Sequence, residues 1–375
     1  MKKTYAMILF SALVLLTGCW DQRYFKDVKL GMASSMDVAA GGKMRLTVSI
    51  PTVQKFAQGL GTEKIQIVST VASTPRKARM KIDRIVAKNF DAAKMRVFLI
   101  GEKMAKKGIY PLLDVLYRDP SNPLDAKIAV MKGKGQAGIN LSPPGESRIS
   151  EYLRDLLDSA ERSTLLPKGN DIQAVSGNLV GKGKDDVLPY LVLNQQKGII
   201  TVSGVALFNR DYYTGKHLTP EQATLLILMS GKHGRIARIT KKMYDFNKQP
   251  VKNFITIDVK KVKSNLQLKV ESPTDISAFL NMTLVVRTVE FPIDHLHSKN
   301  IVEQLNEKLS KKITKDANQV ISKLQEANCD YFGLGRQMIA FHPDIWNQID
   351  WNKRYPKIDF KSKVRVNIVQ HGIID

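Results

Sequence analysis

The sequence predicts a multi-domain α+β protein of mixed α/β character, whose C-terminal domain is an antiparallel sheet covered by a long helix. Three observations carry this expectation. Alternating apolar runs of strand length recur along the chain, amphipathic helical stretches lie between them, and the last third sets several alternating runs beside one apolar stripe of about thirty residues. Length agrees: 375 residues exceed one ordinary hydrophobic core, so two or three units are expected.

The N-terminus is a leader. Met1-Lys2-Lys3 is a short positive head, and Tyr5 to Leu16 is an uncharged, mostly apolar run too short to span a bilayer stably. No A-x-A-like cleavage site follows. Leu16-Thr17-Gly18-Cys19 resembles a bacterial lipobox instead, in which the thiol is alkylated with diacylglycerol, the chain is cut before the cysteine and the new amine is acylated. On this reading Cys19 is the lipidation site, carrying S-diacylglycerol and an N-acyl group. Two or more acyl chains make a stable anchor, whereas one gives marginal binding. Trp20 and Asp21 then belong to the tether, with the indole either at the membrane interface or packed on the first domain.

Lipidation places the mature chain outside the cytoplasm. Cys329 is then its one thiol besides the anchor, which excludes an internal disulfide and a cysteine-based zinc site. Without Lys2 and Lys3, 56 basic residues stand against 35 acidic ones, a formal +21. Such a charge outside the cell favours an anionic membrane surface or acidic partners, and secretion sets nucleic acid aside.

Along the chain, residues 43–50 alternate, with Met44, Leu46, Val48 and Ile50 on one face of a strand; 64–72 is its partner across a Gly-containing hairpin loop. Ser73-Thr74-Pro75 starts a helix that buries Ala78, Ile82, Ile85 and Val86. Residues 95–101 are a short apolar strand, 108–119 an amphipathic helix, and 125–133 a further alternating strand. Helices follow at 149–162 and 171–179. A strand over 198–208 turns at Asn209-Arg210-Asp211, and Thr219 with Gln222 forms a capping box for an all-apolar helix ending at Gly231. Residues 253–262, 266–271 and 281–290 read as three strands, the first two joined by a turn at Lys263-Ser264-Asn265. The helix 298–327 carries Ile301, Leu305, Leu309, Ile313, Ala317, Val320, Ile321 and Leu324 in one stripe, and 363–370 is a last strand. The expected units are a signal peptide (1–18), a lipidated tether (19–29), an N-terminal mixed domain (30–193), a middle strand–helix domain (194–250) and a C-terminal sheet-plus-helix domain (251–375).

Little in the chain points to chemistry. Of six histidines only His295 and His297 are close, with no carboxylate or thiol at ligand spacing. No H-E-x-x-H, G-x-S-x-G or S-x-x-K pattern occurs. The glycine–lysine segments at 132–135 and 181–185 read as flexible loops rather than phosphate cradles, and Asp185-Asp186 sits in the second with nothing to raise a carboxyl pKa. The chain is read as non-enzymatic, with no metal, cofactor or catalytic residue.

Four segments together resemble the Ger(x)C family of spore germination lipoproteins, the C subunits of nutrient germinant receptors. "LTGCWDQR" (16–23) is similar to that family's lipobox and tryptophan–aspartate tail, and "LLDVLYRDPSNPLDAKIAVMKGKG" (112–135) to its helix, Arg-Asp-Pro turn and strand. "VSGVALFNRDYYTGKHLTPEQATLLILMSGK" (202–232) resembles the strand and apolar helix opening its C-terminal region. Residues 329–372 resemble its closing Asp-x-Phe-Gly-x-Gly, Trp and Pro segment, with Cys329 where the family often has serine. The resemblance implies three mixed α/β domains, a polytopic A subunit and a permease-like B subunit as partners, and a place on the outer face of the inner spore membrane. The alternative reading is an extracellular solute-binding lipoprotein serving a transporter, which requires two α/β lobes around a polar cleft.

Overall fold

The computed structural model describes residues 28–54, 62–119, 122–143, 145–246, 249–293, 296 and 298–370. Cys19, Trp20, the leader, and the His295 and His297 pair lie outside the described residues.

Fourteen strands are described. β1 (Val28–Leu30) pairs in parallel with β5 (Asn89–Asp91). Eight more form one sheet: β2 (Ala33–Val38), β3 (Met44–Gln54), β4 (Thr62–Ala72), β6 (Val97–Gly101), β7 (Lys127–Met131), β8 (Val187–Asn194), β9 (Ile199–Asn209) and β10 (Tyr212–Leu218), in the order β10-β9-β8-β7-β6-β2-β3-β4. Its centre is parallel and both flanks are antiparallel hairpins. All residues of β6 and β7 are buried, as expected of parallel strands covered on both faces, so the alternation expected over 125–133 is not realised. Val97 and Leu99 join one core, Phe98 and Ile100 the other.

The helices are α1 (Pro75–Asp83), α2 (Glu102–Ala105), α3 (Tyr110–Arg118), α4 (Gly135–Ile139), α5 (Ile149–Arg162), α6 (Ile172–Val180), α7 (Pro220–Met229), α8 (Lys299–Glu326), α9 (Leu334–Phe341), α10 (Pro343–Trp346) and α11 (Trp351–Arg354). Thr74 caps α1 through Lys77 N, and the Thr219–Gln222 capping box is formed at α7, whose residues 223–229 are all buried. Helix α1 ends at Asp83, so Ile85 leaves the buried phase and is 57% exposed.

The second sheet runs β11 (Arg238–Lys242), β12 (Phe254–Val270), β13 (Ile276–Glu290) and β14 (Asp359–Gln370). It is antiparallel except at β13–β14, which are parallel, because α8 carries the chain back across the sheet before β14 begins. The turn expected at Lys263–Asn265 is absent: these residues pair with Thr283, Met282 and Asn281 inside one 17-residue strand. The α8 stripe is buried from Leu305 to Leu324 and Ile301 lies at its margin. A second row on α8, four residues apart, reaches the edge of β14. Asn306 Oδ1, Ser310 Oγ, Thr314 Oγ1 and Asn318 Oδ1 accept the backbone N–H groups of Ile368, Val366, Val364 and Ser362 at 2.8–3.0 Å. The helix thus closes an edge that would otherwise present unpaired donors.

Two expected boundaries run through paired strands. The division at 193/194 cuts off the last residue of β8, which is hydrogen-bonded to β9 along its length, and β11 belongs to the second sheet although the sequence places it in the middle unit. One apolar core runs from Leu99 and Leu207 through α7 to Leu280 and Leu309.

Candidate functional site

The segment after α6 and the segment after α8 meet where two glycines allow the backbones to touch. Gly183 has φ +77°, and a Cβ there would lie 2.5 Å from Gly335 C; one on Gly335 would meet Gly183 Cα at 2.7 Å and Trp351 Nε1 at 2.8 Å. Arg336 N donates to Gly183 O at 2.8 Å. Residues 181–185 are therefore a packed contact rather than the free loop expected. The other glycine–lysine segment is also packed: Asp37 accepts the N–H groups of Gly135 (2.7 Å) and Gln136 (2.8 Å), so an internal carboxylate fills the start of α4.

Three carboxylates organise the junction. Asp330 Oδ1 accepts from Leu334 N at 2.9 Å, and its Oδ2 accepts from Gly335 N at 2.7 Å and Trp351 Nε1 at 3.1 Å. Asp185 accepts from Arg210 N (2.6 Å) and Asp330 N (2.8 Å), while its own N–H donates to Asp330 O (3.0 Å). Asp186 Oδ1 accepts from Asn178 Nδ2 at 2.8 Å, and its Oδ2 is buried with no partner among the described residues. Burial pushes Asp186 and Asp330 up to about 6 and raises Asp185 as well. This overturns the expectation that nothing here perturbs a carboxyl group. The perturbation comes from the 329–332 turn folding over the loop, a contact between residues about 145 apart in sequence.

Cys329 is fully buried beneath the junction, with its thiol pushed well up by burial, and Tyr355 OH donates to its carbonyl at 2.9 Å. A raised pKa and burial make this sulfur a packing group, not a nucleophile. An open cleft of about 440 Å³ lies over the junction, lined among others by Lys184, Arg210, Trp346 and Trp351. Lys184 is pulled below the usual lysine range by burial. The hydrogen bonds of Asp185 and Asp330 go mainly to backbone amides and one indole, so the arrangement fastens chain segments together.

Among the described residues no histidine lines this cleft. His217 stacks on Tyr190 at 4.6 Å, and His233 Nδ1 contacts Gly234 O at 2.7 Å. Among the described residues no group of three or more His, Cys, Asp or Glu could hold a metal ion. The sequence reading takes Asp185-Asp186 only as a pair in a flexible loop and meets Gly335 and Trp351 only inside the family-like 329–372 segment, with no role for either. The available signal was the repeated glycine spacing at 181/183 and 333/335, which marks a close backbone approach.

Two family models divide the chain on either side of this junction. Residues 21–193 match the spore germination protein N-terminal domain, and residues 203–372 match the spore germination B3/GerAC-like C-terminal domain. The chain belongs to the Ger(x)C family of spore germination proteins. Within this Ger(x)C chain, Gly183 and Asp185 come from the first matched region, and Arg210, Asp330, Gly335 and Trp351 from the second. Full-length relatives agree: spore germination protein GerQC of Bacillus cereus is 23% identical, covering 100% of both chains. Spore germination protein KC of Bacillus subtilis (strain 168) is 20% identical, over 98% of this chain and 95% of its own. The crystal structure of the GerBC protein superposes with a TM-score of 0.58 at 18% identity, covering 90% of this chain and 96% of that one, and shares the mixed α+β fold.

Proposed function

We propose that this chain is the non-enzymatic, lipid-anchored C subunit of a nutrient germinant receptor, held at the outer face of the inner spore membrane and acting through contacts with an A subunit and a permease-like B subunit. The observation that carries this reading is the extent of the family match. It begins two residues after Cys19 and, with a short gap, continues to residue 372, so almost everything behind the lipobox is germination-family sequence. Among the described residues no helix is long and apolar enough to cross a membrane, so attachment on this reading falls to Cys19. The solute-binding alternative has less support, since one eight-stranded mixed sheet and one four-stranded sheet are not two similar lobes around a cleft.

Palmitate labelling of spores carrying the native chain or Cys19→Ala tests the anchor: label in the native chain only is expected, and equal incorporation in both would overturn it. Co-purification from spore inner membrane tests the partnership. Recovery of polytopic and permease-like chains with this one is expected; recovery of the chain alone, with a tightly held small molecule, would favour the alternative.

A further inference from the structure

Helix α8 covers one face of the second sheet, and the other face is open. Its outward positions are Lys261, Lys263, Asn265, Gln267 and Lys269 on β12, Phe279, Asn281, Thr283, Val285, Arg287 and Val289 on β13, and Lys361, Lys363, Arg365, Asn367 and Val369 on β14. Register places Lys263, Thr283 and Arg365 in one row and Asn265, Asn281 and Lys363 in the next. Lys261, Lys263, Lys363 and Arg365 are all exposed and make no ion pair among the described residues. The acid nearest the centre, Asp258, is already clamped by both Arg238 (2.8 Å) and Arg287 (3.1 Å). On α8, by contrast, the lysines are interleaved with Glu303, Glu307 and Asp316.

Large apolar groups share this open face. Phe279 is 38% exposed, Val289 45% and Val369 54%. The outward residues therefore mix unpaired cations with protruding apolar side chains over a length of about 33 Å. That mixture suits the headgroup region of an anionic bilayer, where apolar groups enter the acyl boundary and lysines meet phosphates. A protein partner is the poorer fit, because lysine is depleted from the centres of protein interfaces.

We propose that the open face of the β11–β14 sheet is a second membrane contact, binding anionic lipid headgroups through Lys261, Lys263, Lys363 and Arg365. The inference rests on the reading of the chain as membrane-attached, but its test needs no acyl group.

The full chain carrying Cys19→Ser is mixed with vesicles of phosphatidylcholine alone or with phosphatidylglycerol, and the bound fraction is measured by sedimentation. Stronger partition onto the phosphatidylglycerol vesicles is expected, falling with added salt. Each neutralised cation should weaken it about fivefold, so K261Q/K263Q/K363Q/R365Q should lose on the order of several hundredfold. A charge-matched control on α8, K299Q/K311Q/K312Q/K315Q, should lose far less, and urea midpoints should stay near the native value for both variants. Equal losses in the two variants would mean that bulk charge does the binding and would overturn the proposal. So would unchanged vesicle binding in the sheet variant; if that variant also lost its co-purifying membrane proteins, the face would be a protein-docking surface. Vesicle binding that persists while Cys19 takes up no palmitate would leave the face standing and remove the anchor.

Discussion

Thr314 and Val364 are joined in both directions: Thr314 Oγ1 accepts the Val364 N–H at 3.0 Å and donates to the Val364 carbonyl at 3.3 Å. One helical hydroxyl thus satisfies both backbone polar groups of one residue on the sheet edge. Thr314→Val keeps the shape and removes both bonds, leaving a half-buried N–H and C=O unpaired. The expected cost is about 1–3 kcal/mol in a urea melt. Thr314→Ser, which keeps the hydroxyl, should cost less than half as much. Equal losses for the two variants would mean that the bonds contribute nothing beyond packing.

Asp186 makes stability depend on pH with a defined sign. Its folded-state pKa of about 6 lies above the ordinary carboxylate value, so the folded chain holds a proton that the unfolded chain releases between about pH 4 and 6. The stabilisation from this group is therefore fully present below about pH 4 and lost as pH rises through 6. Asp186→Asn cannot ionise, so its melts should lose about 1–3 kcal/mol less than the native chain between pH 4 and 7. Asp185 and Asp330 shift in the same direction and leave the variant some residual slope. A variant whose melts track the native chain at every pH would show that Asp186 is ionised at no cost.

Most of what could be read from the sequence was local. Helix α5, the α7 capping box and the α8 stripe follow from spacing and caps within a few residues, and the structure has them in place. The sheet that α8 covers was legible as well, from the alternating strands on either side of the stripe, but the side-chain partners within that packing were not. Lys263-Ser264-Asn265 carries the composition of a turn, yet three residues of β13 hold it extended and Ser264 Oγ donates to Met229 O at 2.6 Å. The polar row Asn306, Ser310, Thr314 and Asn318 has the spacing of a helix face, but its purpose appears only once β14 lies beside it. The same holds for Asp185, Asp186 and Asp330, whose burial is created by segments far apart in sequence. Cys19, the one site residue the sequence names, lies outside the described residues.

Lys127 is a cation on a strand whose neighbours are all core. It is 7% exposed, and its Nζ lies 2.6 Å from Glu161 Oε1 and 3.2 Å from Asp158 Oδ1 on α5. Burial pulls its pKa down, but Glu161 and Asp158 outweigh that and hold it raised, so the amine is charged. Lys127→Met leaves the half-buried Glu161 without its cation and should cost up to about 3 kcal/mol, the low end for breaking a buried pair. Adding Glu161→Gln removes the stranded charge, and the double variant should recover more than half of the loss. If the second substitution deepens the loss instead, the pair is not the reason Lys127 is tolerated in the core.

The α8 stripe makes a claim about which face of a 28-residue helix is core. Leu309 is fully buried against the sheet, two residues from Lys311, which is exposed. Both substitutions to alanine favour helix slightly or leave it unchanged, so propensity does not separate them. Packing does. Leu309→Ala removes buried methyl groups and leaves a cavity, at a cost of about 2–5 kcal/mol. Lys311→Ala touches no buried contact and should cost under about 0.5 kcal/mol. Urea melts of the full chain measure both under one set of conditions. Two equally small shifts would mean that the stripe carries no core packing, and that α8 owes its place to the side-chain row along β14 alone.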